Sequence, residues 1–237
     1  MSAQHAVIVG GSSGIGLATA RQLLDLGYQV TITGRSQQRL NAAKQALSNL
    51  DARVFDAADG AGLQDSFSGI GKFDHLVLAL GSRKGIGPFA SISLAEVRQS
   101  FEEKVFPHFA TAQAALPLLR KDGSITFVAA VSAHAAMPGT AGIGAANAAV
   151  AALVPTLAAE LRPLRINGVS PGVIDTPWWD FLTEEQKAPA FAGYAAQTPA
   201  GRVGRPEDVA QAITFLIADT FMSGHVIVCD GGLRLAG

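Results

Sequence analysis

The chain has 237 residues, of which 49% are hydrophobic and 16% charged, and its formal net charge is -1. That composition excludes an intrinsically disordered segment, and the near-neutral balance excludes the basic field that a nucleic-acid or anionic-membrane binder uses. The longest apolar runs are too short, or too interrupted by glycine and polar residues, to span a bilayer, and the N-terminus lacks a basic region followed by a long hydrophobic stretch. A cytoplasmic protein with small-molecule partners is expected, with no membrane or nucleic-acid partner. Cys229 is the only cysteine, so no intrachain disulfide forms, and its run Val226-Ile227-Val228-Cys229 reads as a buried strand. No metal site is expected.

Strands alternate with helical patterns to the end, which predicts one α/β domain over residues 1–237. Ala6 to Val9 is the first strand. It runs into Gly10-Gly11-Ser12-Ser13-Gly14-Ile15-Gly16, and a helical pattern carried by Leu17, Leu23, Leu24 and Leu26 follows, with Gly27 as its stop. Strand, glycine turn and helix in this order suit a pyrophosphate. Gly10, Gly14 and Gly16 supply the tight turn, the close backbone approach and the helix packing, Ile15 lies among them, and Ser12 and Ser13 cap the helix or bond a phosphate oxygen.

Gln29 to Thr33 forms a second strand ending at Gly34-Arg35-Ser36. At this strand tip an acidic residue selects a free ribose 2′-hydroxyl and a basic one a 2′-phosphate, so Arg35 favours NADP(H) over NAD(H). A helix from Gln37 to Leu50 follows, then a short strand Arg53-Val54-Phe55 closed by Asp56, a candidate partner for the adenine edge. A short helix is expected from Ala61 to Phe67, and His75 to Leu80 reads as a strand buried on both faces, ended by Gly81 beneath the cofactor. A long helix runs from about Leu94 to Leu119, with Pro107 removing a hydrogen bond in its middle. Ser124 to Val131 is the fifth strand and leads into a loop holding Ser132 and His134. An alanine-rich helix from Gly142 to Glu160 has small residues on most faces, which suits a subunit interface. The sixth strand, Arg165 to Val169, turns through Ser170-Pro171-Gly172.

The segment from about 176 to 200 gathers Trp178, Trp179, Phe181, Phe191 and Tyr194 with Pro189 and Pro199. It reads as a substrate lid over the strand edge, or as a hydrophobic flap packed on the domain or on a neighbouring subunit. Pro206 then opens the last helix.

On Gly10 to Gly16, Asp56, Arg165-Ile166-Asn167-Gly168-Val169-Ser170-Pro171-Gly172, Gly201-Arg202-Val203-Gly204-Arg205-Pro206-Glu207-Asp208 and Asp230-Gly231-Gly232, the chain resembles the short-chain dehydrogenase/reductase family over essentially its whole length. The resemblance implies a Rossmann-type, doubly wound α/β fold with a seven-stranded parallel sheet and helices on both faces. It also implies a nicotinamide cofactor at the C-terminal strand edge, contacts from Ile174 and Thr176 to its carboxamide end, and a homodimer or homotetramer built through the long helices.

The family's chemistry uses a Tyr-x-x-x-Lys pair, a serine thirteen residues before the tyrosine, and an asparagine on the preceding helix. Aligning the segment around Gly142 puts Ile143 at the tyrosine, Asn147 at the lysine, Ala130 at the serine and Lys104 at the asparagine. No Tyr-x-x-x-Lys occurs anywhere in the sequence, and the family's Asn-Asn-Ala-Gly strand end reads Leu78-Ala79-Leu80-Gly81. Lysine and asparagine have exchanged places. Lys104 is therefore expected to reach the nicotinamide ribose, or a proton-relay water, from the opposite wall to Asn147. For proton donation the sequence offers Ser132, His134 and, from the lid, Tyr194.

The function these residues support is an NADP(H)-dependent oxidoreductase of atypical mechanism, moving hydride to or from a small activated carbonyl, quinone, imine or enone. The alternative is a catalytically inactive NADP(H)-binding sensor or partner subunit. A lyase or isomerase that keeps the nucleotide as a structural element is a third possibility.

Overall fold

A computed structural model describes residues 3–60 and 62–235. Its strands are β1 (His5–Val9), β2 (Gln29–Gly34), β3 (Leu50–Val54), β4 (Phe73–Leu78), β5 (Leu119–Val128), β6 (Arg165–Pro171) and β7 (Val226–Cys229). They form one parallel sheet of seven strands in the order β3-β2-β1-β4-β5-β6-β7. The helices are α1 (Gly14–Asp25), α2 (Gln37–Ala46), α3 (Leu63–Ile70), α4 (Leu94–Ala115), α5 (Ala141–Glu160), α6 (Glu184–Gln197) and α7 (Pro206–Ala218).

Successive strand residues point to opposite faces of the sheet, and both faces of the central strands are covered. Ala6, Ile8, Val30, Ile32 and Val77 pack on one face against Leu23 of α1, Leu40 of α2 and Ile213 of α7. Val7, Val9, Leu76, Leu78, Ile125 and Phe127 pack on the other against Phe67 of α3, Ala115 of α4 and Val150 of α5. Both faces are therefore desolvated, at about 25 cal/mol per Å² of apolar surface buried. The chain winds from β1 outward to β3 and then returns to β4 on the other side of β1. This reversal opens a crevice outside the C-terminal ends of β1 and β4, where doubly wound sheets bind their ligands.

Several boundaries differ from the sequence reading. Helix α2 stops at Ala46 rather than Leu50, because Asn49 takes a positive φ of 63° and turns the chain into β3. Helix α4 ends at Ala115, ahead of Pro117, and β5 starts already at Leu119, while its expected end folds into a tight turn at Val131–Ala133. The third helix begins at Leu63, and Ala61 lies outside the described residues. Cys229 is half-buried rather than buried. Helix α5 is, by length and composition, apolar enough to cross a membrane, with a mean hydropathy of 1.6. Its stripe Ile143, Asn147, Val150 and Val154 is instead buried.

Candidate active site

The glycine turn at the end of β1 is shaped by contacts that exclude side chains. Gly10 has φ 84°, and a Cβ there would lie 2.5 Å from the Ala79 carbonyl oxygen at the end of β4. A Cβ on Gly16 would run into the carbonyl of Gly10, so α1 lies directly against the turn. Gly10 and Gly11 both donate their amides to Thr33 O at 3.0 Å, which fixes the turn to β2. Ser13 stands at the N-cap of α1 in extended conformation, but its side chain makes no capping bond, and the first turn carries no acidic residue. The first-turn amides of α1, from Gly14 to Gly16, therefore face the crevice with a positive dipole end and no anion from the chain itself. A phosphate fits that position. Ser12 packs against Gly34, and Ile15 lies half-buried against the α1 side of the core.

On the β2 side of the crevice, Arg35 is exposed one residue past β2, and Asp56 is exposed with its Oδ1 accepting from Ala58 N at 3.0 Å. On the far side of β1, Gly81 follows β4, and Pro171 and Gly172 end β6. Ile174 is buried and bridges to Gly204. The Cβ of Thr176 would meet a Cβ on Gly14 at 3.2 Å, so the Pro171–Thr176 segment reaches back to the glycine turn.

The four residues singled out for chemistry fall into three separate arrangements. Asn147 is 3% exposed and donates from Nδ2 to Ser132 Oγ at 3.1 Å. That bond sets the orientation of the amide, and among the described residues its buried Oδ1 has no partner. His134 is exposed at the loop surface with Nε2 3.0 Å from the buried Ser170 Oγ at the end of β6. Lys104 contradicts the expectation that it crosses the crevice. It is 4% exposed, and its Nζ donates to Leu80 O at 2.7 Å, Val128 O at 2.9 Å and Ala129 O at 3.4 Å, below the ends of β4 and β5. Burial pushes its ammonium down to about 7.

His108, one turn further along α4, lies 2.6 Å from Lys104 O through Nδ1 and 3.2 Å from Leu78 O through Nε2. Burial, followed by the neighbouring Lys104 charge, pushes it down to about 3, so it is neutral. The sequence carried a signal for this buried polar stripe: Ser100, Lys104, His108 and Thr111 recur at helical spacing on the face that also holds Ala112 and Ala115.

The segment 176–200 forms a tight turn at Pro177–Trp179 and the helix α6, none of whose residues is buried. Its aromatics pack first on one another: Trp179 lies 4.7 Å from Trp178, 5.5 Å from Phe191 and 5.8 Å from Tyr194, centroid to centroid. Trp178 also leaves this cluster to donate Nε1 to Ser82 O at 2.9 Å, with its ring edge beside Gly81. Ser82 was missed in the sequence. Its hydroxyl donates to Glu103 on α4 at 2.8 Å, so Ser82 joins the end of β4, Trp178 and α4. Among the described residues no histidine, cysteine or acidic cluster is placed to hold a metal.

A family model described as enoyl-(acyl carrier protein) reductase matches residues 9–234. The chain is 33% identical to an L-fucose dehydrogenase of Mus musculus, over 99% of this chain and 89% of that one. It is 31% identical to a peroxisomal 2,4-dienoyl-CoA reductase of Saccharomyces cerevisiae, over 96% and 83%. The NADPH-bound structure of a short-chain oxidoreductase from Pseudomonas aeruginosa PAO1, described as containing an atypical catalytic centre, superimposes with a TM-score of 0.89 at 32% identity, covering 97% of this chain and 96% of that one.

Proposed function

Because the chain belongs to the short-chain dehydrogenase/reductase family, we propose that it is an NADP(H)-dependent oxidoreductase of atypical mechanism that moves hydride between the cofactor and a small activated acceptor. The observation that carries the reading is the uncapped start of α1 behind the Gly10–Gly16 turn, joined across the crevice by the partnerless Oδ1 of Asn147. Both fit a dinucleotide, the first its phosphates and the second a sugar hydroxyl. Gly10, Ser12, Ser13 and the first-turn amides of α1 would hold the pyrophosphate, Arg35 the 2′-phosphate and Asp56 the adenine edge. Gly81, Pro171, Gly172, Ile174 and Thr176 would line the nicotinamide half. The bound cofactor supplies or accepts the hydride.

What the chain contributes is position and exclusion of water. Holding two reactants at the right face and distance is worth several kcal/mol, roughly 7 to 11 in well-oriented cases. The positions where the family carries its tyrosine, lysine and serine hold Ile143, Asn147 and Ala130. Loss of general acid catalysis costs about 10²- to 10⁴-fold. Acceptors that need little proton assistance therefore suit the site: quinones, iminium ions and activated enones. The Ser132 hydroxyl, which accepts from Asn147, is a polar group such a substrate could meet. The exposed rings of Phe106 and Phe109 on α4 and the alanine-rich composition of α5 support assembly as a homodimer or homotetramer.

NADPH oxidation followed at 340 nm against a panel of these acceptors tests the reading. Turnover with one class supports it, and tight NADPH binding with no turnover in any class overturns it. The latter result would favour the second reading, a cofactor-binding sensor or inactive partner subunit. One observation speaks for that reading: Ser132 and His134 are both already bonded to other side chains.

A further inference from the structure

We propose that Lys104 makes this protein discriminate between the two redox forms of its dinucleotide in favour of NADPH, because its ammonium is buried directly beneath the half of the crevice that takes the nicotinamide. The proposal rests on the cofactor reading above and gives it a direction, reduction of the acceptor. The oxidised ring is a cation and the reduced ring is neutral, so a fixed positive charge below the floor penalises only the former.

The geometry supports a charged side chain. Leu80 O, Val128 O and Ala129 O surround Nζ, and these three acceptors match the three hydrogens of an ammonium. A neutral amine would turn its lone pair on one of them. Leu80 and Ala129 immediately precede Gly81 and Ala130 at the ends of β4 and β5. With Arg35 marking the adenosine side beyond β2, the second mononucleotide half of a doubly wound sheet lies outside these two strand ends. The charge is thus one peptide layer away, in a region where solvent screens little.

Among the described residues no carboxylate pairs with Nζ: the acidic neighbour on α4, Glu103, is bonded to Ser82 and Gln99 instead. On α4, Glu102 is exposed and His108 is held neutral. On β4 and β5 the charged residues all lie near the opposite, N-terminal ends of the strands, α5 carries only Glu160, at its far end, and α3 only Asp65, in its first turn.

Calorimetric titration of the full chain with NADPH and with NADP⁺ tests the proposal without any assay of turnover. At pH 6 NADPH should bind about tenfold more tightly than NADP⁺, and in Lys104→Met the ratio should fall toward one. Because burial lowers Lys104 to about 7, raising the pH from 6 to 9 removes its proton, and the wild-type ratio should shrink over that interval. The 2′-phosphate is common to both ligands, so its own titration cancels in the ratio. The pH arm needs no variant and remains decisive if Lys104→Met fails to fold. Equal affinities at pH 6, a ratio constant to pH 9, or an unchanged ratio in a folded Lys104→Met overturns the proposal and leaves the cofactor reading intact. Failure to bind either dinucleotide overturns both.

Discussion

Arg35 is exposed just past β2, where a dinucleotide's adenosine ribose lies in a doubly wound fold. A guanidinium there adds charge-assisted bonds to a 2′-phosphate and nothing comparable to a free hydroxyl. Arg35→Ser should therefore weaken NADPH about tenfold while leaving NADH nearly unchanged, as read by fluorescence titration of both. Equal losses would place Arg35 outside the phosphate site. Across the crevice, Asn147 is a different kind of residue, buried and neutral. Asn147→Leu keeps the branched skeleton but removes both the bond to Ser132 and the partnerless Oδ1. One hydrogen bond is worth about 1 kcal/mol, so NADPH should bind about fivefold more weakly. Adenosine 2′,5′-bisphosphate, which lacks the nicotinamide half, should bind as before. A parallel loss for both ligands would mean that the substitution disturbs the fold instead.

Among the elements, the segment 176–200 shows what a sequence gives and withholds. Its aromatic content and its place after β6 marked an insertion over the strand edge. Its helix was less visible, since Pro189 falls inside α6, yet at its start the Thr183 backbone N–H donates to Gln186 Oε1 at 3.0 Å. What no local pattern carries is the latch, because Trp178 and Ser82 are 96 residues apart in sequence. The same limit applies to Lys104: its helix was legible, but its three carbonyl partners come from two strands and appear only once the sheet is assembled. The latch makes a prediction. Trp178→Phe keeps an aromatic ring in the cluster but loses the donor to Ser82 O, so the contact of this segment with the end of β4 loses about 1 kcal/mol. NADPH release, followed by stopped-flow displacement, should become about fivefold faster. An unchanged rate would show that the segment is a packed flap rather than a gate.

For the molecule as a whole, alternating strand and helix patterns read as one α/β domain, because two-sided burial forces continuous apolar strands, while the seven-stranded doubly wound sheet is what the family resemblance implies. The interior still contains polar groups that such patterns do not price, and they set how the fold responds to acid. His75 is 3% exposed, with Nδ1 2.9 Å from Ser124 Oγ and, among the described residues, no partner for Nε2. Burial lowers it to about 4, and His108 is lowered to about 3. In the unfolded chain both would titrate near 6.5. Below that value the unfolded state binds protons that the native state refuses, so stability falls as the pH drops from about 6.5 toward 4, by at most about 2.7 kcal/mol per pH unit for the two sites. Above pH 7 the histidines are neutral in both states and contribute no slope. Urea denaturation at intervals from pH 7.5 to 4.5 should show this decline, and His75→Gln should reduce its steepness by up to about 1.4 kcal/mol per unit. A wild-type profile that stays flat over the same interval would contradict the burial of both rings.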